Sequence, residues 1–241
     1  MNKFCCIAYG EVGVGKTPFM GTLQEYEKTS PCLFLDIDQG SMSLNSMKNK
    51  PTIVPIETWN ELSGLYPFLR DKQWPQLAEK LSKLAGRDIP VLQYKSIVID
   101  SASELEYRLR NSVQNAEIPS QPDYLTTQER FRKMYRAFRD IEGVSLLMTA
   151  GVRELKDDTS GVVKHFPAFQ PSLVADLLRM TDFIFFMSIS MKGLGEDRKW
   201  VKTIQMSLSQ RAIARSRSDK LKGVLEGEKF EWGNILKDVL D

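Results

Sequence analysis

Short apolar runs alternate along this chain with longer stretches of helical period. Lys3–Tyr9 is a β-rich apolar run followed by a glycine-rich turn, and a helix is expected from about Lys16 to Tyr26. Pro18 falls in the first turn of that helix, where a missing N–H costs nothing. Cys32–Leu35 predicts a second strand, ending in Asp36-Ile37-Asp38 and a turn at Gln39-Gly40. Ile53–Ile56 reads as a further short strand, Ser96–Ile99 as a fully apolar one closed by Asp100, and Val144–Thr149 as another. Phe183–Met187 and Trp200–Met206 complete the set.

Between the strands the period changes to that of helices. Trp74, Leu77, Leu81 and Leu84 share one face of a segment running from Trp59 to about Leu84, with a break at Trp74-Pro75. Ala102, Leu105, Leu109 and Val113 form one stripe; Phe131, Met134, Tyr135, Phe138 and Ile141 form another. Ser172 is expected to cap a short helix through Met180. Residues Asn115–Thr127, with Pro119 and Pro122, read as a loop. Gly151–Pro171 lacks any period and reads as a long functional loop. Strand and helix in alternation predict an α/β fold, a mostly parallel sheet with helices on both faces.

Composition changes this picture little. At 241 residues, 42% hydrophobic and 27% charged, the chain suits one globular domain with a buried core. A net charge of +2 excludes a wholly basic molecule, so any nucleic-acid surface must be a local patch. Cys5, Cys6 and Cys32 lie in apolar runs without paired metal-ligand spacing and are expected as buried, reduced thiols. The first strand runs almost at once into the glycine loop, leaving no room for a signal peptide, and no apolar run could span a bilayer. A cytoplasmic protein is expected.

The chemistry enters at Gly10–Thr17, GEVGVGKT, which meets the phosphate-loop pattern at Gly10, Gly15, Lys16 and Thr17. Glycines let successive backbone N–H groups point inward, and the following helix adds its positive end. Gly13, Val14 and Pro18 complete the expected cradle. Lys16 would reach the β- and γ-phosphates of ATP, less readily GTP, and the Thr17 hydroxyl would ligate Mg2+. Asp100, delivered at a strand's carboxyl end, supplies the acidic partner of the metal. Asp38 is the candidate that orients attacking water, although Asp-Gln-Gly is also good turn chemistry; Asp36 reads as structural. Thr149, at the tip of its strand, either senses the γ-phosphate or caps the strand.

With these motifs in place, the chain resembles the compact RecA-like ATPases encoded by phages, a family that includes single-strand-annealing recombinases related to RecA and RadA. The resemblance runs from Lys3 to about Gly223, leaving 224–241 as a tail. Cys32–Asp38 resembles the strand ending in the family's catalytic glutamate, Ile97–Ser101 its Walker B strand, and Leu146–Ala150 its sensor strand. Ala214-Arg215-Ser216-Arg217 is similar to the lysine-x-arginine element that such proteins insert into a neighbour's ATP site. The resemblance implies a sensor strand between the phosphate-loop and Walker B strands, self-association into a ring or filament with ATP at the interfaces, and hydrolysis aided by Arg215 and Arg217.

The resemblance also implies that Gly151–Pro171 is a DNA-binding loop. Arg153, Lys156, Lys164, His165, Phe166 and Phe169 offer there the cations and aromatics that single-stranded DNA favours. The family's other DNA loop would lie near Asn115–Tyr124. Three departures stand out: Asp38 is one methylene shorter than the usual glutamate, Gly151 replaces a polar sensor residue, and no separate DNA-binding domain is present. The basic face at Arg130, Arg132, Lys133, Arg136 and Arg139 reads as solvated surface. Phe230, Trp232, Ile235, Leu236, Val239 and Leu240 are expected to dock on the chain's own core, the alternatives being a neighbouring subunit or a single-strand-binding protein. The leading expectation is therefore a DNA-stimulated ATPase of recombination. A nucleotide-controlled loader with a protein partner comes second, and a small-molecule kinase last.

Overall fold

A computed structural model describes residues 3–240 apart from 115–116, 157, 159–160 and 194–197. Asn115, read above as the start of a loop, lies outside the described residues, as does the side chain of Leu240. The main sheet has nine strands. Five parallel ones run from its middle to one edge: β1 (Cys5–Gly10), β2 (Cys32–Asp36), β3 (Thr52–Pro55), β4 (Ser96–Asp100) and β5 (Ser145–Ala150). Beyond a separate two-stranded ribbon, β6 (Val152–Lys156) and β7 (Val163–Pro167), the chain returns as β8 (Phe183–Lys192), β9 (Lys199–Gln205), β10 (Arg215–Ser216) and β11 (Val224–Gly227).

The order across the sheet is β11-β9-β8-β1-β5-β4-β2-β3, with β10 beside β8. The sensor strand β5 thus lies between β1 and β4, as the resemblance implies. β8 runs parallel to β1, and β9 turns the sheet antiparallel at that side.

Alternation along β1 shows how the layers form. Cys5, Ile7 and Tyr9 enter one core, while Phe4, Cys6 and Ala8 enter the other, on the opposite face. The first core is covered by α2 (Trp59–Ser63), α3 (Tyr66–Arg70), α4 (Trp74–Ala85), α5 (Ala102–Val113), α6 (Gln121–Arg139) and α7 (Pro171–Met180), which contribute Leu62, Leu69, Leu81, Leu105, Phe131 and Leu177. The second is covered by α1 (Lys16–Gly21), which continues as a 3-10 turn over Thr22–Glu25, and by α8 (Trp232–Leu240). The three cysteines are free and buried.

Four expectations are corrected. The helix expected to Tyr26 ends as α-helix at Gly21. The helical segment over 59–84, expected to break at Trp74-Pro75, is three helices broken around Gly64 and at Asp71–Gln73, and Trp74-Pro75 instead opens the third. The loop assigned to Asn115–Thr127 gives way to α6 from Gln121: Asp123 accepts from the Ser120 N–H (2.8 Å), and Pro122 occupies the first turn, where it is tolerated. The long loop over Gly151–Pro171 holds the β6–β7 ribbon and the first residue of α7. That ribbon escaped because Leu155 and Val163 are exposed among charged neighbours, so no alternating pattern marks it.

The tail expected over 224–241 is built into the fold. β11 closes the sheet edge, and Trp232, fully buried, stacks on Phe19 with ring centroids 4.7 Å apart. The backbone N–H of Trp232 donates to Thr22 Oγ1 at 3.0 Å.

Candidate functional site

The phosphate loop leaves the carboxyl end of β1 at Gly10, where a Cβ would run into the Met187 carbonyl of the neighbouring strand. Gly13 and Gly15 have φ of 83° and 97°, which L side chains resist, so glycine is required at both. Val14 is buried and pins the loop to the core, whereas Val12 is wholly exposed at its tip. Lys16 Nζ donates to the carbonyls of Gly10 (2.9 Å) and Glu11 (2.8 Å), bridging the mouth of the loop. Burial lowers its pKa from 10.5, opposed by the charges of Asp100, Asp38 and Glu11.

The neighbouring strand ends supply the rest. Thr17 Oγ1 donates to Asp100 Oδ2 at 2.7 Å, and Thr149 Oγ1 donates to Asp100 Oδ1. β5 thus reaches the same carboxylate as the loop. Asp100 is buried, and desolvation raises its pKa from 3.8 against the lowering effect of these two hydroxyls. The peptide from Asp100 to Ser101 is cis. Ser101 then caps α5, its Oγ accepting from Glu104 N at 3.3 Å.

Asp38 stands exposed one strand further along. The backbone N–H groups of Ile37 and Asp38 both donate to the Asp100 carbonyl, which fixes Asp38 beside the metal-side carboxylate. Partial desolvation, then the charges of Asp100, Glu104 and Asp36, raise its pKa from 3.8. Asp36 has the structural role read for it, accepting from Gly40 N and Ser41 N at 3.1 and 3.2 Å.

These groups line a cleft of about 640 Å³ that also takes in Gly13, Gly15, Pro18, Ser103, Tyr107 and Gly151. Arg108 was not singled out in the sequence, yet it organises one wall. Its guanidinium donates to Ile37 O (2.7 Å) and Ile56 O (3.0 Å) and pairs with Glu104 at 2.9 Å. The signal available was its i,i+4 spacing from Glu104, which is ordinary on any helix.

Thr17 and Asp100 fit a magnesium ion: both offer hard oxygen donors, 2.7 Å apart, at the phosphate end of the cleft. Among the described residues no cluster of three or more His, Cys, Asp or Glu side chains could hold a metal.

Other expected site residues lie elsewhere. Arg215 and Arg217 sit at the opposite end of the strands, because β10 pairs with the first residues of β8. Arg215 donates to Leu178 O (2.7 Å), while Arg217 pairs with Asp182 (2.8 Å), whose other oxygen accepts from Cys5 N. Within this chain neither guanidinium reaches the phosphate cleft. Of the expected DNA-loop residues, Arg153 and Lys156 lie on β6 and Lys164, His165 and Phe166 on β7, where Arg153 faces Phe166 and Glu154 faces His165 in register. Lys164 lies over the Phe166 ring at 5.8 Å.

Three of those side chains serve packing, Phe166 being partly buried against the first core. His165 is half-buried, stacked on Phe186 at 4.9 Å. Phe169 is buried against Phe131, not exposed in a loop.

Fold and site together define a P-loop nucleotide-binding ATPase. A family model described as an AAA domain matches residues 2–218, and the chain belongs to that family. No curated protein matches the chain. No helix among the described residues is long and apolar enough to cross a membrane.

Proposed function

We propose that this ATPase binds Mg2+ and ATP at the Gly10–Thr17 loop and uses hydrolysis to control single-stranded DNA held on the β6–β7 ribbon. One observation carries the reading: Gly151 belongs both to the phosphate cleft and to the root of the ribbon. Its N–H donates to Ser103 Oγ at 3.1 Å within the cleft wall, and its carbonyl accepts from Ala168 N at 2.9 Å where the ribbon returns. A shift of the β5 end on nucleotide binding therefore acts at once on both legs of the ribbon. Arg153, Lys156, Lys164 and Phe166 supply there the cations and an aromatic face that single strands favour.

In hydrolysis Lys16 neutralises charge on the β- and γ-phosphates, Asp100 and Thr17 hold the metal, and Asp38 orients water toward the γ-phosphate. Thr149 keeps Asp100 in place through its hydroxyl. Self-association with ATP at a subunit interface belongs to the same reading, and gel filtration with and without ATP tests it.

The experiment for the main reading is hydrolysis by the purified protein with and without single-stranded DNA, with Lys16→Ala as the blank. Stimulation of several-fold or more is expected. Hydrolysis indifferent to DNA, with no DNA binding in ATP, overturns the DNA assignment. It would favour a protein-loading ATPase, for which the exposed Met191–Trp200 cross-strand pair offers an apolar face.

A further inference from the structure

A triphosphate seated on this loop needs a place for its other end. Asp38 and Asp100 mark the γ side of the cleft. On the other side of Gly15 and Pro18 opens a second cavity of about 390 Å³, within the range of small-ligand sites. The two cavities share Gly15, Pro18 and Ser43, so a ligand crossing that sill occupies both. Phe19, Met47 and Phe230 give the second cavity apolar walls, and Lys202, from β9, stands at its mouth.

Two details of that sill belong together. Pro18 follows Thr17 and has no N–H, so the loop lacks one backbone donor at the point where the phosphate chain leaves it. Lys202 Nζ lies against the loop at the same place: a Cβ built on Gly15 would come within 3.5 Å of it. The backbone of Lys202 is paired in the sheet, but among the described residues its Nζ has no ion-pair or hydrogen-bond partner, although the residue is half-buried. An unpartnered cation lies beside a phosphate loop that is one donor short.

We propose that Lys202 is a second phosphate-binding cation, which contacts the α-phosphate in place of the donor absent at Pro18, and that the cavity behind it receives the base and ribose against Phe230 and Met47. The assignment rests on the nucleotide reading of the site. It extends the nucleotide site to residues beyond 218, where the match to the family ends.

Titration calorimetry with ATP, ADP and inorganic tripolyphosphate, all with Mg2+, tests it on the full chain. Lys202→Ala is expected to weaken ATP and ADP about five- to twentyfold and Lys202→Arg to retain most of the affinity. Pro18→Ala returns the missing N–H, so the cost of Lys202→Ala is expected to shrink in that background, a coupling that a structural role for the lysine would not produce. Phe230→Ala is expected to weaken ATP and ADP while leaving tripolyphosphate within twofold. Should Phe230→Ala fold poorly, Met47→Ala reads the opposite wall. Crosslinking with 8-azido-ATP is expected to label Met47–Lys48 or Lys229–Glu231.

Unchanged affinity in Lys202→Ala, an equal cost of that change in both backgrounds, or crosslinking at Tyr107 instead overturns this proposal while leaving the nucleotide reading intact. Absence of any ATP binding that Lys16→Ala abolishes overturns both.

Discussion

Thr17 and Asp100 are 83 residues apart in sequence and joined by a 2.7 Å hydrogen bond from hydroxyl to carboxylate. This bond brings the phosphate loop and β4 to one point, and Thr149 completes the arrangement from β5 between them. Replacing Asp100 by Asn keeps the shape and removes the charge. Steady-state hydrolysis is expected to fall by about 10²-fold or more, the order seen when one electrostatic partner of a reacting centre is lost. Thr149→Val removes a buried donor from the same carboxylate and is expected to cost about 1–3 kcal/mol in denaturant unfolding.

The raised pKa of Asp38 has a kinetic consequence. A carboxylate that orients water must be ionised, so hydrolysis is expected to fall as pH drops through that raised value, above the range of an unperturbed aspartate near 3.8. Asp100 shifts in the same direction, so the acidic limb belongs to the pair. A rate profile across the acidic range checks this. Asp38→Asn is expected to reduce the rate about 10²-fold where Asp38 is ionised and by progressively less at lower pH, while Asp38→Glu, which restores the missing methylene, retains activity.

Glu106 provides a stability signature. Burial pushes its pKa from 4.5 up to about 7, opposed by the Gln170 N–H and the charges of Arg110 and Arg153. Between those two pH values the folded chain holds a proton that the unfolded chain has released. Stability therefore falls as pH rises from about 4.5 to 7, by a total on the order of 3 kcal/mol. Glu106→Gln, followed by urea unfolding at several pH values, is expected to flatten that slope.

The ribbon is tested by salt. Arg153→Ala combined with Lys164→Ala is expected to leave basal hydrolysis near the wild-type rate and to abolish stimulation by single-stranded DNA. If each cation meets one phosphate, the slope of log affinity against log salt should flatten by roughly 1.4. Fluorescence anisotropy with a labelled oligonucleotide across a salt series measures it.

Trp232 tests whether the C-terminal helix is part of the core. Its ring stacks on Phe19 and Phe185 and lies 5.4 Å from Phe4. Trp232→Ala is expected to cost about 3–5 kcal/mol, measured by urea unfolding. Loss of only a few tenths would mean that α8 docks weakly.

The sheet and the phosphate loop were legible because their signals are local. Four- to six-residue apolar runs mark β1, β2, β4 and β5, and glycines at fixed offsets with Lys16 and Thr17 mark the loop. Asp100 was legible because it closes such a run. What stayed hidden depends on contacts distant in sequence. Nothing near Arg108 announces that it will hold the carbonyls of Ile37 and Ile56. Arg215 and Arg217 match a pattern for acting on a neighbour's ATP site, and the sequence does not show that pairing of β10 with the start of β8 puts them far from this chain's own cleft. Pro119 and Pro122 looked like loop residues, whereas the Ser120–Asp123 bonds turn the second into a helix start.

The stack of Trp232 on Phe19 has a consequence for biosynthesis. Thr22 and Trp232 are 210 positions apart, so the face of Phe19 that Trp232 covers stays open until that later stretch of chain is made. Until then that face of Phe19, and of Phe185 once it is made, meets solvent or a chaperone. The helix that carries Lys16 and Thr17 is therefore among the last parts of the described fold to become rigid.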